Sequence, residues 1–115
     1  MATSVIQEKS FQFALQIIYL YQELQNEREY VLSKQLLRSG TSIGANVEEA
    51  SAAQSRNDFI AKMSIASKEA RETRYWLSLL QQSGLATVDV SDQLNSVTEI
   101  IKILTSIVKT TSEQR

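Results

Sequence analysis

Apolar residues recur every three or four positions along almost the whole chain, and that spacing predicts helices rather than strands. The first helix is expected from about Ser4 to Gln25. One apolar set in it comprises Ile6, Phe11, Ala14, Leu15, Ile18 and Tyr21. A second set, Phe13, Ile17, Leu20 and Leu24, has the same spacing but is rotated round the axis. Together they cover well over half the circumference, leaving Gln12, Gln16, Glu23 and a few neighbours as a polar strip. The polar run Asn26-Glu27-Arg28-Glu29 reads as the first connection. A second helix should start near Ser33, a good N-cap type, and run to about Gln54. Its core-facing set is Leu36, Ile43, Val47 and Ala50, with Gly40 and Gly44 on the same side.

Ser55-x-x-Asp58 resembles a capping box with Asp in the usual place of Glu, so helix 3 should follow with almost no loop. It is expected from about Arg56 to Gln82, with the stripe Phe59, Met63, Ala66, Ala70, Leu77 and Leu80. Gly84 suits the left-handed position that ends a helix. Asp89 or Ser91 can cap helix 4, which carries Val90, Leu94, Val97, Ile101, Leu104 and Val108 to near Thr111. Four long amphipathic helices with short connections favour an all-α, antiparallel up-and-down four-helix bundle. The 115 residues suit a single domain, 1–115.

The apolar face of helix 1 is wider than one bundle core requires. Helix 3 also carries Ile65, Trp76 and Leu79 away from its main stripe. Large exposed apolar patches are unusual on monomers, so this excess predicts a homo-oligomer. The competing reading is that the extra faces meet helices 2 and 4 within one subunit.

Composition then removes several kinds of chemistry. The chain has no Cys and no His. Zinc fingers, thiolate or imidazole metal sites, Ser–His triads and Cys nucleophiles therefore each lack a required part. Lys and Arg total 12 against 13 Asp and Glu, a formal net charge of −1, which argues against a strongly basic nucleic-acid binder. No stretch approaches the roughly 20 apolar residues of a membrane helix, and the opening residues do not form a signal peptide. A cytoplasmic location, no membrane partner, no metal and no cofactor are the expectations.

Gly40-x-x-x-Gly44 places two poor helix formers one turn apart, each costing about 1 kcal/mol relative to Ala. With Ser39, Ala45 and Ala50, they predict a close approach of another backbone. A phosphate site would instead put glycines in a loop before a helix N-terminus. Arg38, Asn46, Glu49, Lys62, Glu69, Glu72 and Arg74 could form a polar network. A carboxylate cluster could hold Mg²⁺ or act as acid and base, but no nucleophile–base pair can be named. An enzyme is therefore not expected. Helix 3 carries Arg56, Lys62, Lys68, Arg71 and Arg74 against Asp58, Glu69 and Glu72, while residues 1–55 are net acidic. These five bases are the candidate contact set for a nucleic acid or an acidic protein partner.

The run Gln35-Leu-Leu-Arg-Ser-Gly-Thr-Ser-Ile-Gly-Ala-Asn-Val-Glu-Glu-Ala50 resembles the signature of the "four helix bundle protein" family, also called the intervening-sequence protein of bacterial 23S ribosomal RNA. Ser55-Arg-Asn-Asp-Phe-Ile-Ala-Lys62 and Lys68-Glu-Ala-Arg-Glu-Thr-Arg-Tyr-Trp-Leu77 are similar to its second signature, and Phe11-x-Phe-Ala-x-x-Ile17 fits its first helix. The resemblance implies a left-handed bundle and a ring-like homopentamer. Some members of the family are encoded inside insertions in ribosomal RNA genes. A similar bundle is the accessory variability determinant of diversity-generating retroelements, a basic pentamer that binds nucleic acid and a reverse transcriptase. The resemblance transfers no catalytic residue. Its polar signature positions fall on Arg38, Ser39, Asn46, Glu49, Glu69 and Glu72, read first as structural or interface residues.

Overall fold

The computed structural model describes residues 2–114. Four helices follow one another: α1 (Ala2–Asn26), α2 (Leu32–Ser51), α3 (Arg56–Ser83) and α4 (Ser91–Glu113). They form a rod of 49 × 21 × 20 Å. Helices of this length fit such a rod only along its long axis, so each short connection reverses the chain. α1 packs on α2, α2 on α3 and α3 on α4, and α4 closes on α1. The all-α up-and-down bundle is therefore as expected. The α1–α4 seam is the thinnest of the four.

Of the two apolar sets on α1, the second turns inward. Phe13, Ile17, Leu20 and Leu24 are buried with Ile6, whereas Phe11 is 61% exposed and Ile18 36%. Phe11 and Ile18 lie roughly 130° round the helix from the core line at 3.6 residues per turn. On α2 the buried line is Ser33, Leu36, Ser39, Gly40, Ile43, Val47 and Ala50. On α3 it is Met63, Ala66, Ala70, Thr73, Leu77 and Leu80, with Phe59 only partly buried. Val90, Val97, Ile100, Ile101, Leu104 and Ile107 complete the core from the α4 side.

The helix ends show where local chemistry departs from the sequence reading. Ser33 does not cap α2. It lies inside the helix, fully buried, donating to the Glu29 carbonyl at 2.7 Å and accepting from Gln25 Nε2 at 2.8 Å. The cap is the Glu29 carboxylate, which accepts from the N–H groups of Val31 at 3.1 Å, Leu32 at 3.0 Å and Ser33 at 2.7 Å. Three orphan donors of the first turn thus share one anion at the positive end of the helix.

Just before it, Arg28 adopts a left-handed φ of 64°. The Glu29 N–H reaches back to the Leu24 carbonyl at 2.9 Å, and the Arg28 N–H to that of Gln25 at 2.9 Å. This is a Schellman ending with Arg where Gly is usual. The polar connection is thus a structured corner.

α2 stops at Ser51 rather than Gln54, so residues 52–55 form a short loop before α3. Ser55 does cap α3, accepting from the Asp58 N–H at 3.0 Å, and Gly84 ends it with φ 66°. Asp89 takes the N–H and the hydroxyl of Ser91 at the start of α4, and these two bonds hold its carboxyl below the ordinary value.

Removing the Glu29 cap should be costly. Glu29→Ala is expected to lower stability by about 1–2 kcal/mol, the upper range for a lost cap. Arg28→Gly should raise it by up to about 1 kcal/mol by relieving the left-handed penalty. Thermal melts of the two variants should move in opposite directions from the parent.

Candidate functional site

Gly40 and Gly44 face α1, but they do different jobs. A Cβ on Gly40 would lie 2.9 Å from both Cγ atoms of Ile17 and 3.2 Å from its Cβ. Ile17 is buried and β-branched, so it has little room to yield. At Gly44 the nearest atom to such a Cβ is the Ser10 carbonyl oxygen at 3.4 Å, an ordinary contact. Gly44 also opens outward. With Ala14, Thr41 and Ala45 it floors a shallow groove of about 160 Å³ between α1 and α2, bordered by Phe11. Ala50 is fully packed at the far end of α2.

The polar signature residues meet across the α2–α3 seam. Arg38 donates to Glu69 at 3.5 Å and is also bonded to Glu72. The hydrogen bond to Glu72 is the largest of the effects holding the Arg38 guanidinium above its ordinary pKa. Glu72 accepts in addition from the Trp76 indole N–H at 3.1 Å. Glu49 pairs with Lys62 at 3.0 Å, and that bond, then the Glu49 charge, raises the Lys62 ammonium.

Deeper in the seam, the Thr73 hydroxyl bonds both Ser39 Oγ and the Glu69 carbonyl at 2.8 Å. Asn46 turns back to the Ser42 carbonyl at 2.9 Å. The outer pairs are solvent-bathed and contribute little each, since exposed ion pairs are worth about 0–1 kcal/mol. Their effect is to fix how α2 and α3 face one another. Among the described residues no cluster of three acidic side chains could hold a metal ion.

The five basic residues of α3 are not brought together. Lys62 is committed to Glu49, and Arg56 is bonded to the carbonyl of Gln114. Lys68 points outward between the two flanks of the helix. Only Arg71 and Arg74, one turn apart, share the flank facing α4, where Arg71 donates to Thr105 Oγ1 at 3.3 Å. That bond marks the register of α3 against α4, with Arg71 level with Thr105. It places Lys102 level with Arg74, and Lys109 a turn beyond Arg71. These two α4 lysines were not singled out from the sequence. The signal was there, in Lys102 and Lys109 two turns apart on one stripe, but only the α3–α4 register joins them to Arg71.

Apart from Tyr30, Val31 and Leu85 beside the α1–α2 corner, two outward apolar faces stand out along the helices. One comprises Phe11 and Ile18 of α1 beside the small residues of α2. The other is on α3, where Ile65, Tyr75 and Leu79 are exposed and Trp76 is half-buried. The Tyr75 and Trp76 rings meet edge to face at 5.2 Å. Among the described residues no helix is long and apolar enough to cross a membrane.

A family model described as "23S rRNA-intervening sequence protein" matches residues 3–106. A crystal structure of a protein of unknown function from the S23 ribosomal protein family of Bacteroides thetaiotaomicron is 53% identical to this chain. The match covers 95% of this chain and 99% of that one, with a TM-score of 0.90. No curated protein matches the chain.

The two glycines should separate on substitution. Gly40→Ala is expected to lower stability in spite of its gain in helix propensity, because overpacking costs about 1–3 kcal/mol. Gly44→Ala should be neutral or stabilising by up to about 1 kcal/mol. Urea midpoints of the two variants should fall on opposite sides of, or one below and one at, the parent value.

Proposed function

The chain belongs to the 23S rRNA-intervening sequence protein family, and we propose that it is a non-enzymatic assembly protein that works as a homo-oligomeric ring of bundles, most simply a pentamer, offering its surface to a partner. The observation that carries this is the pair of apolar faces on different sides of one subunit. Phe11 borders a groove of small side chains on α1 and α2, and Ile18 is exposed two turns along the same stripe of α1. Ile65, Tyr75 and Leu79 project from α3. Apolar side chains gathered on two surfaces of a small domain mark contact sites.

Two unlike patches on one subunit favour head-to-tail contacts, which close into rings when the rotation permits. Bulky residues on α3 are the natural complement of a groove floored by Ala14, Gly44 and Ala45. Kinship with the accessory variability determinant of diversity-generating retroelements, also a pentameric bundle, is part of the same reading.

Light scattering on a sizing column tests it. The parent protein should run near five times the 12.9 kDa subunit mass. Phe11→Asp should run as a smaller species with its helix content unchanged, since Phe11 supports no part of the bundle core. A parent protein that runs as a single subunit at micromolar concentration overturns the reading.

A further inference from the structure

The charges of α3 are sorted by flank. Its acids Glu69 and Glu72 lie toward α2, where Arg38 holds them. Its bases Arg71 and Arg74 lie toward α4. Among the described residues none of Arg71, Arg74, Lys102 and Lys109 takes part in an ion pair. Between α3 and α4 runs a groove of about 300 Å³ whose lining includes Arg71 and Lys109 with the hydroxyls of Ser64, Ser67 and Thr105. Arg74, one turn along α3 from Arg71, adds a third cation on the same flank, while Lys102 lines a neighbouring hollow beside Glu99. Of the acids on α4, Asp92 lies in the first turn, Glu99 pairs with Lys9 at 3.2 Å and shares a surface hollow with Lys102, and Glu113 lies one turn past Lys109 at the groove's end.

We propose that this groove binds the phosphodiester backbone of a single-stranded nucleic acid. Cations flanking a row of hydroxyls supply both attraction and hydrogen bonds to phosphate oxygens. The Thr105 contact holds the Arg71 guanidinium in place before any ligand arrives. A furrow between two adjacent helices admits one strand but not a duplex. Its lining contains no aromatic ring on which a base could stack, so binding tracks the backbone and tolerates any sequence. The site lies within one subunit and does not depend on the ring. Assembly would multiply it without creating it.

The test is fluorescence anisotropy of a labelled uridine oligonucleotide titrated with the full chain between about 50 and 200 mM salt. Three cations in contact predict a slope of log affinity against log salt of about −2. Arg71→Gln with Lys109→Gln should reduce the slope by about 1.4 and weaken binding at low salt. Lys34→Gln, the loss of one exposed positive charge on α2, should leave both as in the parent. A deoxythymidine oligonucleotide and inorganic polyphosphate should compete, because the recognised chemistry is the phosphate chain. No binding at the lowest salt, a salt-independent affinity, or equal loss in the Lys34→Gln control overturns the proposal. Capture of an acidic peptide in preference to either oligonucleotide does so as well. Circular dichroism of the double variant separates a lost contact from a lost fold.

Discussion

The close approach of α1 and α2 over Gly40 decides how this bundle is arranged. α1 carries two apolar stripes, and either could have faced the core. Only one contains Ile17, whose branched end sits where any side chain at position 40 would have to be. Seating Ile17 on bare backbone brings the two helices together and turns Phe13, Leu20 and Leu24 inward with it. Phe11 and Ile18 are then left outside by the fixed angle between stripes. The outward apolar face of α1 is thus a geometric consequence of the contact that closes the core. α4, which meets α1 most thinly, leaves a cleft of about 420 Å³ beside Phe13 and Ile100, bridged by Lys9 and Glu99.

A similar dependence links the two seams of α3. Arg38 and Lys62 consume the carboxylates of Glu69, Glu72 and Glu49 on the α2 side. A helix with a local excess of only two positive charges can thereby show one nearly balanced flank and one wholly basic flank. Net charge, at −1 for the chain, conceals this, because it sums over faces that solvent and ligands meet separately. The exposed Arg38 pairs add little stability. Their consequence is to neutralise the acids of α3 on one side and so define the character of the other.

The helices themselves were legible because long amphipathic segments without Pro leave few alternatives to a bundle. Gly84 and Ser55 were readable as helix ends, since each acts through its own backbone or side chain. Ser33 misled for a physical reason. A serine at a helix start is a good cap only if nothing better competes, and the Glu29 carboxylate reaches the same N–H groups with a full charge. Nothing in local spacing announces that, because it requires Arg28 to enter the left-handed region first. Which α1 stripe is buried was also beyond periodicity, since both repeat at the same interval. The candidate polar residues Arg38, Glu69 and Glu72 were found in sequence and do meet. The lysines of α4 were missed because their partners come from α3, across a register that only packing supplies.

The α1–α2 corner and the Gly40 contact depend on one another. The corner fixes where α1 ends and α2 begins through two adjacent devices, the Schellman turn at Arg28 and the three-way cap at Glu29. Each residue added to or removed from that turn would rotate α2 by about 100° relative to α1. Ser39 or Thr41 would then come under Ile17, and either brings a Cβ and a hydroxyl into a space that Gly40 leaves empty. The register therefore has one comfortable setting. A left-handed arginine and a buried glutamate, each unfavourable alone, are tolerated because together they deliver Gly40 to Ile17. The strain at the turn and the tight packing in the core are two ends of the same constraint, and the outward faces of α1 inherit their position from it.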